Sequence, residues 1–217
     1  MNLTAPNIKA ALSDIEETQD LLEKAMKLAG LVSCLFREAG WPLVVVGGSA
    51  VEFYTEGAYM SGDIDFCRQT LAPIPLRVSQ EIMGRLEAAG GPRSWKAAGL
   101  FVDLLGLLEN ESTKRCTELQ TPYGPVTLIP PEMILVERVL AAVYPSRNQE
   151  QYDIAKKMMA SGLSKDDRCL TWEAWQSKRQ ALREQTGRVG PAVTRRKESS
   201  SDSRLRAAFN GERAPGN

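Results

Sequence analysis

The sequence predicts an α+β or α/β core that passes into a helical C-terminal part, on three grounds. Short apolar runs end in glycine or alternate with acids, as in LVVVGG (43–48) and DIDFC (63–67), which is how strands read. Between them lie stretches whose apolar residues recur at helical spacing. After residue 130 helical patterns alone follow, so the order is helix, strand, helix, strand, helix, strands, then helices.

Taken in order, residues 13–38 read as one amphipathic helix. Leu21, Leu22, Met26, Leu28, Leu31 and Leu35 recur near helical spacing, and Ser13 with Glu16 matches a capping box. AGWP stops this helix and LVVVGG follows as a buried strand. A short helix from Ala50 to Tyr54 and a glycine-containing loop lead to the strand DIDFC. LAPIPL is a proline-spaced connector, and residues 77–89 form a helix ended by Gly90 and Gly91. SWKAAG and LFVDLLG are strand-like, and TELQT, PYGP and VTLI read as a hairpin.

Pro130 and Pro131 introduce a helix through Tyr144, and another runs from Gln149 to Ala160. A third helical segment reaches Gln185 and carries Trp172 and Trp175 on one face, an arrangement expected to pack in a core. From Arg188 onward the chain is rich in Ser, Gly, Pro and Arg, with little apolar surface to bury, and is expected to be disordered. The division that follows is a core domain over 1–129, a helical subdomain over 130–187 and a flexible basic tail over 188–217.

Composition narrows the chemistry. The 217 residues are 43% hydrophobic and 25% charged, as in an ordinary globular protein. Basic and acidic residues balance at 27 each, so bulk charge points to no nucleic-acid or membrane partner. The tail is the exception: seven Lys or Arg stand against three acids from 188 to 217, a net of +4. Cys34, Cys67, Cys116 and Cys169 lie far apart, without the paired spacing of a zinc site or a redox dithiol. Scattered thiols without a signal peptide fit a cytoplasmic location, and no apolar run approaches the roughly 18 residues of a membrane span. The chain has no histidine. Ser-His-Asp and Cys-His catalysis, His-ligated zinc and a histidine base are therefore excluded, and acid–base or metal work falls to carboxylates, lysines or tyrosines.

The stretch VVVGGSAVEFYTEGAYMSGDIDF carries the chemical signal. On a strand, residues two apart share a face, so Asp63 and Asp65 project together while Ile64 and Phe66 face the core. Two adjacent carboxylates repel and call for a cation. Magnesium suits them, since it takes oxygen ligands and leaves positions for water and phosphate. Gly47, Gly48 and Ser49 lie between a strand and a helix, where backbone N–H groups and the positive helix end favour an anion. Asp103, inside the apolar LFVDLLG, would complete an acid set if its strand neighbours DIDFC; it could instead cap a turn or pair with Lys96. Three such acids could hold two divalent ions roughly 3.5–4 Å apart. Lys96 is placed to reach phosphate, or to guard a strand edge.

In this order, the GGS turn, SGDID and the later FVDLL resemble the signature of the nucleotidyltransferase superfamily, over residues 40–107. The resemblance extends through PPEMILVERVLAAVYPSRNQEQYDIAKKM, which is similar to the helical region of minimal, abortive-infection and toxin-type bacterial members. It implies an α+β fold, a small mixed sheet flanked by helices, with a helical C-terminal part. It further implies that Gly48 and Ser49, with Gly47, hold a triphosphate, and that Asp63 and Asp65 hold magnesium. Asp103 would be a third ligand or the base toward the acceptor. Arg138 falls where relatives have a lysine, and Asp153 matches a late aspartate, both toward the nucleotide. Where the family shows an Arg and a Thr shortly before the acid pair, this chain has Tyr59 and Ser61; the Ser61 hydroxyl can stand in for the threonine.

The chemistry implied is attack by an acceptor hydroxyl on the α-phosphorus of a nucleoside triphosphate, with release of pyrophosphate. Three readings share these residues: a toxin or abortive-infection enzyme modifying RNA or protein, with a separate antitoxin protein; an enzyme modifying a small molecule such as an antibiotic; and a binding or regulatory module without turnover. None involves a membrane.

Overall fold

The computed structural model describes residues 5–108, 116–144, 147–160, 169, 170, 172, 173, 176 and 180. The expected disordered tail and most of the segment carrying Trp175 lie outside the described residues. Those described form a mixed eight-stranded sheet flanked by helices, as the sequence predicts. Its strands are β1 (Leu43–Val45), β2 (Asp63–Arg68), β3 (Ala89–Gly90), β4 (Ser94–Ala97), β5 (Leu100–Leu107), β6 (Thr117–Thr121), β7 (Gly124–Leu128) and β8 (Cys169–Leu170). Across the sheet the order is β3-β4-β5-β2-β1-β7-β6-β8. β2 runs parallel to β5, β1 to β7 and β6 to β8, while the remaining pairs are antiparallel.

The helices are α1 (Ala5–Glu17), α2 (Leu21–Glu38), α3 (Gly47–Tyr54), α4 (Leu76–Arg85), α5 (Pro131–Val143) and α6 (Gln149–Ala160). The expected single helix over 13–38 is two. Ser13 lies inside α1, its hydroxyl on Glu17 at 3.2 Å, and caps nothing. The N-cap is Asp20, whose carboxylate accepts from the Glu23 N–H at 2.9 Å and so starts a new helix. α2 then buries Met26, Leu28, Leu31, Leu35 and Phe36 against the sheet, mainly on β7. The second difference concerns Gly90 and Gly91. α4 ends at Arg85 and the chain turns through Glu87 at φ 53, so the glycines form β3 and its turn into β4, with the Gly91 N–H on Ser94 at 2.7 Å. β4 and β5 are joined by Ala98 and Gly99, both at positive φ, the two-residue turn that matches strand twist. Trp172 is half-buried against the core, and β8 beside β6 has no counterpart in the sequence reading.

Alternation fixes the register that matters most. Ile64, Phe66, Val102 and Leu104 are buried on the core face of β2 and β5, which turns Asp63, Asp65 and Asp103 to the other face. Among the described residues no helix is long and apolar enough to cross a membrane, and Cys34, Cys67 and Cys116 are free thiols.

The α1–α2 corner is held by Lys27, whose ammonium lies 3.0 Å from Asp14, 3.2 Å from Glu23 and 3.1 Å from the Thr18 hydroxyl. Tyr123 donates to the same Asp14 carboxylate. The Tyr123 and Lys27 hydrogen bonds hold the Asp14 carboxyl below its ordinary pKa. Its stabilising contribution is therefore complete at neutral pH and is lost as pH falls below about 4, through the lowered value. Lys27→Met is expected to destabilise by about 1 kcal/mol at pH 7 and to flatten this acid dependence, read by urea melts between pH 3 and 7.

Candidate active site

The site is built where β2 and β5 run side by side. Their register sets Asp65 directly opposite Asp103 and Asp63 opposite Phe101. One oxygen from each of Asp63, Asp65 and Asp103 lies within 4.8 Å of the others, and all three are half-buried. Three carboxylates at that spacing repel strongly unless a cation sits among them. The donor set is all carboxylate oxygen, which suits a hard divalent ion such as magnesium rather than a thiophilic metal.

The glycine turn faces these acids. Gly47, Gly48 and Ser49 form the first turn of α3 itself, rather than a loop before a helix beginning at Ala50. A Cβ on Gly47 would lie 2.7 Å from Asp65 Oδ2, and one on Gly48 would lie 2.8 Å from Ser61 Oγ and 3.3 Å from the Tyr59 hydroxyl. At Gly47 the positive φ also favours glycine, and at both positions an added Cβ would push these side chains aside. The Val46 N-cap supplies no side chain to the first-turn N–H groups, so the helix end keeps donors for an anion beside the acids.

Hydrogen bonds tie turn and acids into one unit. The Val46 N–H donates to the Asp65 carbonyl at 3.0 Å. The buried Ser49 hydroxyl donates to the Val46 carbonyl at 2.9 Å and accepts from the Asp65 N–H at 3.0 Å. Its side chain therefore braces the turn, and the Ser49 contribution to an anion is its backbone. Ser61 donates to Asp63 Oδ1 at 3.2 Å, and its own N–H donates to Glu52 Oε2 at 2.8 Å. Glu52, fully buried on α3, is a positioning residue that sequence reasoning missed. The signal was present: an acid inside the apolar run AVEFY, the same anomaly that marked Asp103.

Tyr59 lies against Gly48, half-buried. Burial pushes its phenol pKa up, the nearby Arg138 guanidinium opposes this, and Glu150, Asp63 and Glu52 add to it. Arg138 donates to Gln151 at 3.0 Å rather than pairing with Asp153, and among the described residues its buried Nε has no hydrogen-bond partner. Asp153 is exposed on α6 and accepts from Gln149 on the same helix at 2.9 Å; that partner is not part of the acid cluster. Lys96, exposed on β4, lies over the Phe101 ring, with Nζ 5.8 Å from its centroid.

No family model matches the chain, and no curated protein matches it. Among solved structures it is similar to the crystal structure of ANT(2'')-Ia in complex with adenylyl-2''-tobramycin. There the identity is 15%, covering 72% of this chain and 95% of that one, with a TM-score of 0.40. A solution structure of ANT(2'')-Ia, described as an antibiotic-resistance factor, is 16% identical, covering 72% and 93% of the two chains with a TM-score of 0.38. An antigenic nucleotidyltransferase-like protein from Paracoccidioides brasiliensis is 13% identical, covering 83% of this chain and 95% of that one, with a TM-score of 0.47.

Proposed function

We propose that the chain is a magnesium-dependent nucleotidyltransferase that moves a nucleoside monophosphate from a nucleoside triphosphate to an acceptor hydroxyl. One observation carries the reading: three carboxylates converge beside a helix N-terminus whose glycines lie against two of their supports, Asp65 itself and the Ser61 hydroxyl that holds Asp63. Anion donors and cation ligands then meet at one place, as phosphoryl transfer requires.

In this reading Asp63, Asp65 and Asp103 hold the metal, as two ions, and the N–H groups of Gly47, Gly48 and Ser49 hold the triphosphate. Magnesium bound there draws charge from the phosphate and makes the acceptor hydroxyl a better nucleophile. Asp103, where it is not the third ligand, takes the hydroxyl proton. The acceptor oxygen bonds to the α-phosphorus, the bond from that phosphorus to the α–β bridging oxygen breaks, and pyrophosphate leaves. Ser61 keeps Asp63 turned to the site, and Glu52 keeps Ser61 in place. Arg138 brings positive charge to the phosphate side, which Tyr59 alone does not. Lys96 stands on the other flank of the acids, over the Phe101 ring, and Asp153 is held on α6 by Gln149.

The biological reading is a toxin or abortive-infection enzyme with a separate antitoxin. It rests on the resemblance of residues 130–158 to that group's helical region. The test is transfer of label from the four α-labelled nucleoside triphosphates, with and without magnesium, to cellular RNA, cellular protein and a panel of aminoglycosides. Magnesium-dependent labelling is expected, with growth arrest on expression. Labelling of aminoglycosides alone would replace the toxin reading. Magnesium-dependent stabilisation by nucleotide without any labelling would make the chain a binding module.

A further inference from the structure

The acid cluster has two flanks. One is the glycine turn with Tyr59 and Arg138 behind it. On the other the sheet continues outward through β5 and β4, and a single row across three strands reads Asp63, Phe101, Lys96. Phe101 is 41% exposed and Leu105, two places past Asp103 on the same face, is 42% exposed. Neither is a misplaced core residue. The intervening Val102 and Leu104 are buried, so the register that fills the core is the one that turns Phe101 outward. The ring lies beside the acids and has the Lys96 ammonium over it.

We propose that Phe101 and Lys96 form the acceptor subsite, and that the acceptor is a single-stranded nucleic acid. This rests on the nucleotidyltransferase reading and adds the class of its second substrate. An exposed aromatic face offers stacking to any base, and a neighbouring ammonium offers charge to the phosphate joined to it. In that reading the acids carry magnesium, and the ammonium adds to the positive charge that a phosphodiester meets beside the ring. The same cation opposes a polycationic aminoglycoside, and a flat ring beside one ammonium gives a folded protein little shape to fit. A strand stacked on Phe101 lies next to the acids, where its hydroxyl would attack the α-phosphorus with the bond changes given above.

The test uses the full chain, two 5′-fluorescein probes (a 12-nucleotide oligouridylate and the matching oligothymidylate) and anisotropy titrations in magnesium at several salt concentrations. Binding of at least one probe is expected, and its preference tells RNA from DNA. Phe101→Ala should weaken that binding about tenfold and Phe101→Trp should restore it. Lys96→Gln should weaken it and reduce the log–log salt slope by about one. In parallel, stabilisation by magnesium with the four α,β-methylene nucleoside triphosphates should be unchanged in these variants. Failure of the wild type to bind either probe overturns the proposal, as does equal affinity across Phe101→Ala, Phe101→Trp and Lys96→Gln. If nucleotide stabilises and no strand binds, the acceptor proposal falls and the catalytic reading stands. If a strand binds through Phe101 and Lys96 but nucleotide never stabilises, the strand site stands without the catalytic reading.

Discussion

Asp65→Asn is expected to lower nucleotidyl transfer about a hundredfold to a thousandfold, the scale set by removing a group that stabilises developing charge. The substitution is nearly isosteric, and the main-chain bonds of residue 65, to the Ser49 hydroxyl and the Val46 N–H, survive it. The fold should therefore be intact. The diagnostic lies in stability with and without metal. Without magnesium, three carboxylates within 4.8 Å repel one another, so replacing one by an amide should leave stability unchanged or raise it. With magnesium, the wild type should gain thermal stability from binding and the variant should gain little. Thermal melts in EDTA and in magnesium, run beside the labelling assay, separate a lost ligand from a damaged fold. Transfer at the wild-type rate by Asp65→Asn, or an equal magnesium response in both proteins, would remove the acids from the chemistry.

How much of this site was legible beforehand follows from the period of the signals. The Asp63–Asp65 pair and the buried Ile64 and Phe66 obey strict alternation, and a period of two survives folding because the core fixes it. Asp103 was legible as an acid in an apolar strand, and its neighbour became known only once β5 lay parallel to β2, a pairing local pattern does not contain. The same limit hid Phe101, which in LFVDLLG reads as one more core residue. The α1–α2 break was written in the sequence as Asp20 with Glu23, yet the apolar spacing ran across it and obscured the cap. Gly90 and Gly91 read as a helix stop, and contacts with Ser94 and Trp95, from the following strand, make them a tight strand turn instead. The Arg138 position beside Tyr59 depends on packing of α5 against α3, which no spacing encodes.

Gly47→Ala is expected to cost about 1–2 kcal/mol of stability, from the left-handed backbone alone. The residue sits at φ 60, and its new Cβ would come 2.7 Å from Asp65 Oδ2. That contact closes only if the carboxylate swings off or the first turn of α3 withdraws. Either movement separates the anion donors from the metal ligands. A displacement of the order of 1 Å at a reacting centre costs about a hundredfold in rate, so transfer should fall by at least that much. The effect on catalysis should exceed what the lost stability explains at a temperature where the variant stays folded. Gly62→Ala is the matched control: it also adjoins an acid, Asp63, but an added Cβ there meets nothing within 4 Å. It should leave both the melting temperature and transfer close to wild type. Equal loss in the two variants would mean that glycine near the acids is merely a flexible link. Loss of transfer confined to Gly47→Ala, and larger than its lost stability accounts for, would mean that the closeness of turn and carboxylate is itself what the reaction uses.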